Sequence, residues 1–485
     1  MCGSVKCVLA ASVLLAVPSL PAADGSVDFS KVAGAVRPAL HASGFGPRLT
    51  GRDVSKGADL RALNLSAART HDWALVDRGQ RVCDTHFIFP LMRLDPKDPS
   101  NYYFKPTDEL LRRTRDMGLG VFYRLGTSIE HTGDVFFNTA VPEDDDKYAE
   151  VLAGIVRHYT RGWADGFKWD IRYWEIWNEP DGIKNMWRMP GPDGKDPQKM
   201  RERFIRFYVT VLRRLKSEFP EQKVGGPALC SYDEEYFEPL LVACRDAGVA
   251  PDFISWHEYG NQPDKVLAVP AKARALCDQL GFVKTELVVN EWHYLPHDSA
   301  WVDYAGTKAV RDRLWKGPTG QNGVDSAVYT LSILSGYHAT PLDQAYFYGC
   351  GRDGAWGYMN QDGTFNKTYY ALKMFGRIVA SCERYVASES ARDGLRLFGA
   401  KGKVGCDDML LVADFRGRER LLEIAVDGLP DCVTVREAYA LDGESDMLPV
   451  QVGFRDGKLT IVKRDLNSSA YLVIFGDDSH RVLAP

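Results

Sequence analysis

The chain has 485 residues, 45% of them hydrophobic and 26% charged, with a formal net charge of −5. That length exceeds one small domain and suits a large barrel with an accessory module. The mild acidity and the lack of a basic stripe exclude nucleic acid as a partner, and most of the 11 Trp and 22 Tyr are accounted for by ordinary core packing.

In chain order, Lys6 precedes an apolar run, Cys7 to Val17, and then PSLPAADG. This is the pattern of a secretory signal peptide over residues 1–23, cleaved after Ala22 or Ala23. The run is too short to span a bilayer as a mature helix, so the expected location is the periplasm or outside the cell, with no membrane attachment after cleavage. Two of the ten cysteines would leave with the signal. The others, at 83, 230, 244, 277, 350, 382, 406 and 432, form no CxxC pair, which argues against a zinc or redox motif. An oxidising compartment permits one or two disulfides; buried thiols are the default for the rest.

Eight β-favouring runs follow, at 35–42, 66–71, 119–126, 171–177, 223–229, 252–259, 286–292 and 343–349. Helical stripes lie between them. Tyr148, Val151, Leu152, Ile155, Val156 and Tyr159 share one helix face, and Phe204, Phe207, Tyr208, Val211, Leu212 and Leu215 share another. Asp144 to Asp146 place acids where the first of these helices begins, which suits its dipole. The segments 180–197 and 225–227 carry loop chemistry. Eight β-then-α units predict an α/β fold, a (β/α)8 TIM barrel over 24–382. The competing open doubly wound sheet lacks a glycine-rich phosphate loop after any early strand. From 383 to 485 the runs become short and alternating with Gly- and Asp-rich turns, the pattern of a C-terminal β-sandwich. That module shows no aromatic cluster and is expected to support the barrel rather than to bind sugar.

In such barrels the chemistry sits at the C-terminal ends of the strands. Strand two ends near Arg69, His71 and Asp72; strand four in Trp177-Asn178-Glu179-Pro180; strand six in His257-Glu258-Tyr259; strand seven in Asn290-Glu291-Trp292-His293. Glu179 and Glu291 are separated by about three βα units, so both face one mouth. Two facing carboxyls can split a glycosidic bond, and neighbouring strand ends favour the closer, retaining spacing of about 5–5.5 Å.

"WEIWNEPD" (174–181), "DFISWHEYG" (252–260) and "ELVVNEW" (286–292) together resemble a clan A glycoside hydrolase, most closely glycoside hydrolase family 39, which contains β-xylosidases and α-L-iduronidases. "ALHASGFGPRL" (39–49), "AARTHDW" (67–73) and "NKTYYALKMF" (366–375) are similar to that family's pattern too. The resemblance implies a retaining mechanism, with Glu179 as general acid/base and Glu291 as nucleophile. Physical reasoning fits these roles. Burial among Trp174, Trp177 and a sugar ring would raise the pKa of Glu179. Arg69 and a hydrogen bond from Tyr259 would keep Glu291 ionised. Asn178 is placed to bind a sugar 2-hydroxyl, and His257 and His71 suit sugar-hydroxyl contacts. The implied partner is an oligosaccharide or other glycoside; no metal or organic cofactor is called for, and the oligomeric state is not encoded in any motif.

Two positions depart from the family's pattern. Strand eight reads Ala345-Tyr346-Phe347-Tyr348-Gly349 where the family usually has a Trp under the scissile sugar. Phe347, Tyr348 or Trp356 from the next loop are the replacements available. Arg124 in "YRLG" suits either an acidic sugar or a buried structural partner. The altered strand eight also supports another reading, a catalytically inactive carbohydrate-binding protein on the same fold. Retention of two mutually repelling carboxylates argues against it.

Overall fold

The computed structural model describes residues 23–44, 56–71, 82–127, 139–182, 186–349, 356–360 and 362–477. The expected signal peptide, all but its last residue, lies outside the described residues, as do Asp72 and Cys350.

The first strand, β1 (Gly25–Ala35), is followed by β2 (Ala42–Gly44), β3 (Ala67–Arg69), β4 (Gly120–Leu125), β5 (Tyr173–Ile176), β6 (Lys223–Leu229), β7 (Phe253–Gly260), β8 (Glu286–Tyr294) and β9 (Gln344–Tyr348). Strands β2 to β9 close a barrel in chain order, each parallel to its neighbours. Seven of them fall within a residue or two of the expected spans. The first does not: Pro38 opens a 3-10 turn over Pro38–Leu40, because its fixed φ suits the first position of a helical turn, and the strand begins only at Ala42.

The helices are α1 (Gly57–Arg61), α2 (Thr85–Ile88), α3 (Lys105–Asp116), α4 (Asp145–Thr160), α5 (Pro197–Glu218), α6 (Glu234–Asp246), α7 (Pro263–Gln279), α8 (Ala300–Tyr304), α9 (Lys308–Trp315), α10 (Val324–Tyr337) and α11 (Lys367–Ser381). Both expected stripes are buried faces, on α4 and α5. Asp144 caps α4 by accepting the Lys147 N–H at 2.9 Å. Asp196 caps α5 by accepting from Gln198 and Lys199, with Pro197 opening the helix. Such caps satisfy amides that the helix itself leaves without partners.

Inside the barrel, Ala42, Phe122, Phe253, Val288 and Tyr346 form an apolar layer. Above it, toward the C-terminal ends of the strands, the inward residues turn polar: Arg69, Glu175, Ser255 and Asn290 are all buried. The alternation of each strand puts these polar groups on the same inner face as the apolar layer, two residues further on.

The second sheet adds β10 (Cys382–Ser390), β11 (Leu395–Gly402), β12 (Asp408–Asp414), β13 (Leu421–Asp427), β14 (Val433–Leu441), β15 (Asp446–Pro449), β16 (Gly453–Arg455), β17 (Lys458–Val462) and β18 (Ser469–Asp477). The order is β15-β14-β18-β12-β11-β10-β1-β13-β17-β16. Register shifts in β1 let the sheet fold over itself, so that Leu410, Val412 and Val473 from one half share a core with Leu422, Ile424 and Ile461 from the other. The boundary expected at residue 24 is therefore displaced. Residues 25–35 belong to this sheet, where β1 pairs with β10 and β13, a long-range pairing that no local pattern announces.

The sheet shares a hydrophobic core with the barrel: Phe398, Leu411, Phe415 and Leu472 lie in the same cluster as the barrel's outer residues. Arg416 donates to Tyr294 Oη at 2.9 Å and Ser468 to Asp325 at 2.6 Å across the junction. Apolar burial on this scale is what a supporting domain requires. All seven described cysteines are free thiols. Among the described residues no helix is long and apolar enough to cross a membrane.

One acid faces the helices rather than the barrel interior. Glu258 lies on the same face of β7 as Trp256, whose Nε1 donates to it at 3.1 Å. Burial pushes its carboxyl up to about 7, against the Trp256 bond and the charge of Lys272. Between 4.5 and 7 the folded chain holds a proton that the unfolded chain has released, so stability falls as pH rises through that window and is level above it. The full displacement corresponds to about 3 kcal/mol; partial access of water leaves about 2 kcal/mol. Glu258→Gln should therefore raise the unfolding free energy at pH 8 by about 2 kcal/mol and leave it nearly unchanged at pH 4.5, as read by urea unfolding at the two pH values. Equal effects at both would refute the assignment.

Candidate active site

Strand β5 ends in two residues with left-handed backbone, Trp177 (φ 76°) and Glu179 (φ 48°). A non-glycine residue there is strained, and such strain is concentrated at functional sites. The turn sends successive side chains apart. The Trp177 indole points to the helix layer, donating to the Met186 carbonyl at 2.7 Å and packing on Trp187 and Phe207. Trp174 is also turned outward, against Tyr123. Neither indole surrounds the Glu179 carboxylate as expected from the sequence, because strand alternation turns Trp174 outward and the left-handed backbone at Trp177 swings its indole to the same side. The carboxylate instead meets His257, whose Nδ1 lies 2.9 Å away.

A bulge aims the other acid. Trp256 pairs with Val289, but His257 pairs with Glu291, leaving Asn290 as an extra residue. Extra residues of this kind re-aim side chains next to active sites. Here both Asn290 and Glu291 reach buried partners inside the barrel. Asn290 donates to Glu175 at 2.8 Å, and Glu291 accepts from Arg69 at 2.7 Å and from Tyr259 Oη at 2.9 Å. His71 Nε2 is 2.8 Å from the same carboxylate, and His257 Nδ1 is 3.3 Å away.

Arg69 holds the floor together. Its three nitrogens donate to Glu175 at 2.6 Å, Glu291 at 2.7 Å and Asn178 Oδ1 at 2.8 Å. Glu175 also accepts from Ser255 at 2.7 Å. Burial opposes the charge on Glu291, but His257, His71 and Arg69 outweigh it and hold the carboxyl well below the usual range. Burial, reinforced by the Glu291 charge, pushes the Tyr259 phenol well above its usual value, so it stays a neutral donor.

The two acids thus sit in unlike surroundings within one small volume. A Glu179 oxygen, a Glu291 oxygen and a His257 ring nitrogen lie within 4.8 Å of one another. This is close to the roughly 5–5.5 Å carboxyl spacing of retaining glycosidases and well short of the wider inverting spacing. The same three groups are the only set among the described residues with convergent metal-ligand atoms. Arg69, His71 and Tyr259 already contact the oxygens of Glu291.

Residues 62–273 match the family described as glycosyl hydrolases family 39. Over that stretch, somewhat under half of its length, the chain is similar to this family. Over 189 residues it is 28% identical to a β-xylosidase of Geobacillus stearothermophilus, a stretch covering 34% of this chain and 35% of that protein. The match thus spans about a third of the length of that curated relative. A glucosidase from Croceicoccus marinus superposes with a TM-score of 0.71 at 22% identity, covering 93% of this chain and 98% of that one. A family 39 β-xylosidase from Caulobacter crescentus gives 0.62 at 17% identity, covering 93% and 99%. At these identities the structural likeness shows the fold.

In this barrel the replacement for the missing strand-eight Trp is composite. Phe347 points outward, against Trp292 and His293. Tyr348 faces inward, its ring 5.5 Å from His71 and 6.1 Å from Tyr259. Trp356 closes on both tyrosines, at 5.6 Å from Tyr259 and 5.5 Å from Tyr348. Arg124 takes the structural alternative: it is fully buried and ion-paired with Asp84, while its backbone N–H donates to Thr70 Oγ1. Asn178, His257, Tyr259, Arg69, His71 and Trp356 are all brought to one mouth with the two acids.

Several participants escaped the sequence reading. Glu175 lies inside "WEIW", and strand alternation alone could have turned it inward. Trp301 on α8 packs on Tyr259 and Trp356 at 5.3 and 5.6 Å. Asp181 accepts the Cys230 N–H at 3.1 Å, and burial, with a smaller contribution from the charge of Glu179, pushes its carboxyl up to about 6. The Cys230 thiol lies against Glu179 and Asp181; burial and those two acids push it up, so it stays a thiol and is not a nucleophile.

Proposed function

We propose that the protein is a retaining glycoside hydrolase, β-xylosidase-like, acting on O-glycosidic bonds of plant- or host-derived glycans by double displacement. The observation that carries this reading is the Glu179–Glu291 pair, two carboxyls within 4.8 Å in which only Glu291 is clamped by cationic and phenolic donors. Glu291 attacks the anomeric carbon and Glu179 protonates the leaving oxygen. Glu179 then takes a proton from the water that releases the sugar. Asn178, held by Arg69, faces the 2-hydroxyl. Tyr348 and Trp356 offer the apolar floor under the scissile sugar. The name of the Geobacillus relative supports the xyloside assignment. Export to the periplasm or the medium is part of the same proposal and rests on the N-terminal run alone.

The inactive-binder alternative is not favoured, because a site that only bound sugar would gain nothing from two apposed acids. Hydrolysis of a panel of aryl xylosides, arabinosides, galactosides, glucosides and uronides, followed by proton NMR of the first-formed anomer, tests the reading. Turnover with a first product of the same anomeric configuration as the substrate is expected. An inverted first product would sink the mechanism, and no turnover across the panel would sink the activity.

A further inference from the structure

The segment between β8 and α10 carries α8 and α9 and has two sides. On one side Trp301 packs against Tyr259 and Trp356 beside the candidate active site. Further along, Leu314 is buried in one cluster with Trp356, and Trp315, Tyr259 and Tyr348 pack against that cluster. Beyond it lies a groove of about 770 Å³ bounded by α9, the segment before α11 and the second domain. Its walls include Trp315, Asn322, Asn360, Lys316 and Phe365, and β15 of the second sheet contributes Asp446. Lys367 links that wall to the barrel through an ion pair with Asp446 at 2.7 Å.

Three properties converge on one ligand chemistry. The groove combines a half-buried indole with amides and charged groups, the mixture that grips the apolar face and the hydroxyls of a sugar. Its volume falls in the range of roughly 300–1,000 Å³ typical of small-molecule sites, and it lies at a domain junction, where such sites are common. Through Trp315 it also adjoins the aromatic cluster that includes Tyr259 and Trp356 beside the candidate active site. The charges are nearly matched: Lys308 and Lys316 share Asp312, which favours a neutral ligand over a strongly anionic one.

We infer that this groove binds the distal units of a neutral, β-linked oligosaccharide whose reacting end lies between Glu179 and Glu291. The inference rests on the proposed glycosidase site and adds to it a preference for chain length. The second domain thereby becomes part of a binding surface as well as a support.

Isothermal titration of the full-length Glu179→Gln variant with xylotetraose, cellotetraose and the matching methyl monoglycosides tests it. At least one tetrasaccharide should bind about tenfold more tightly than its monoglycoside. Adding Trp315→Ala should remove most of that advantage while moving the monoglycoside affinity less than twofold. Lys316→Ala, which removes an exposed side chain whose surface ion pair with Asp312 contributes little to folding, should weaken the tetrasaccharide in the same selective way. Equal affinity for long and short ligands, no binding of either tetrasaccharide, or loss of both affinities in parallel would each overturn the inference. Failure of the glycosidase reading shows separately, as an absence of aryl glycoside turnover by the unaltered chain.

Discussion

Glu291→Ala is expected to lower kcat/KM on an aryl glycoside by about 10⁴-fold or more, since it removes the proposed nucleophile and with it the covalent route. The surroundings make the result diagnostic. Arg69, His71 and Tyr259 converge on this carboxylate, and after truncation they line an anion-sized space. Added azide should enter it, attack the anomeric carbon from the vacated side and yield a glycosyl azide of inverted configuration. Unchanged turnover in the variant, or an azide product of retained configuration, would refute the nucleophile assignment. The cost to folding is separable. The donors' positive charge is left buried without its partner, and breaking a buried pair costs about 3–5 kcal/mol. Glu291→Gln keeps an acceptor for these donors and should be the better folded of the two, though equally inactive. Because Glu291 is held well below the usual range, its ionisation stabilises the native chain above the ordinary carboxylate range, and that contribution is lost progressively as pH falls from that range to the depressed native value. Wild type should therefore lose stability on strong acidification by a margin that Glu291→Gln lacks.

The barrel was legible because seven of its eight strands announce themselves locally. Apolar β-favouring runs recur at barrel spacing, and polar clusters mark where they end. Glu179 and Glu291 were visible for the same reason, as acids at the tips of such runs. What was not legible depends on geometry between distant segments. β1 joins the second sheet through partners about 350 residues away or further, such as Gly25 with Ser390. The bulge at Asn290 follows from the offset between β7 and β8, and without it one could not say that Asn290 and Glu291 both reach inward. The fate of Arg124 turned on Asp84, 40 residues earlier, a pairing that neither residue's neighbours betray. The tryptophans of "WEIW" misled for a simpler reason. Adjacency in sequence was read as adjacency in space, whereas strand alternation and the left-handed backbone at Trp177 separate the indoles from the acid next to them.

Glu179→Gln separates the two proposed steps, and its outcome depends on the leaving group. For a poor leaving group such as an alkyl alcohol, bond breaking needs the proton that Glu179 delivers, and loss of a positioned acid costs about 10²–10⁴-fold. For 2,4-dinitrophenolate, which leaves without a proton, the first step should proceed at nearly the wild-type rate because Glu291 and its clamp from Arg69, His71 and Tyr259 are untouched. The second step still needs a base for water, so the glycosyl-enzyme should accumulate. Stopped-flow should then show a burst of one dinitrophenolate per active site followed by slow turnover. Azide needs no base. Added to this variant it should accelerate the slow phase and give a glycosyl azide of retained configuration, opposite to the product from Glu291→Ala. His257 bears on the same test, since its Nδ1 touches both acids at 2.9 and 3.3 Å. The amide in Glu179→Gln can still accept from that nitrogen, so the ring is expected to stay in place and the kinetic change reports the lost proton transfer rather than a rearranged site. Equal losses for good and poor leaving groups, with no burst, would mean that Glu179 orients the substrate and that the acid lies elsewhere.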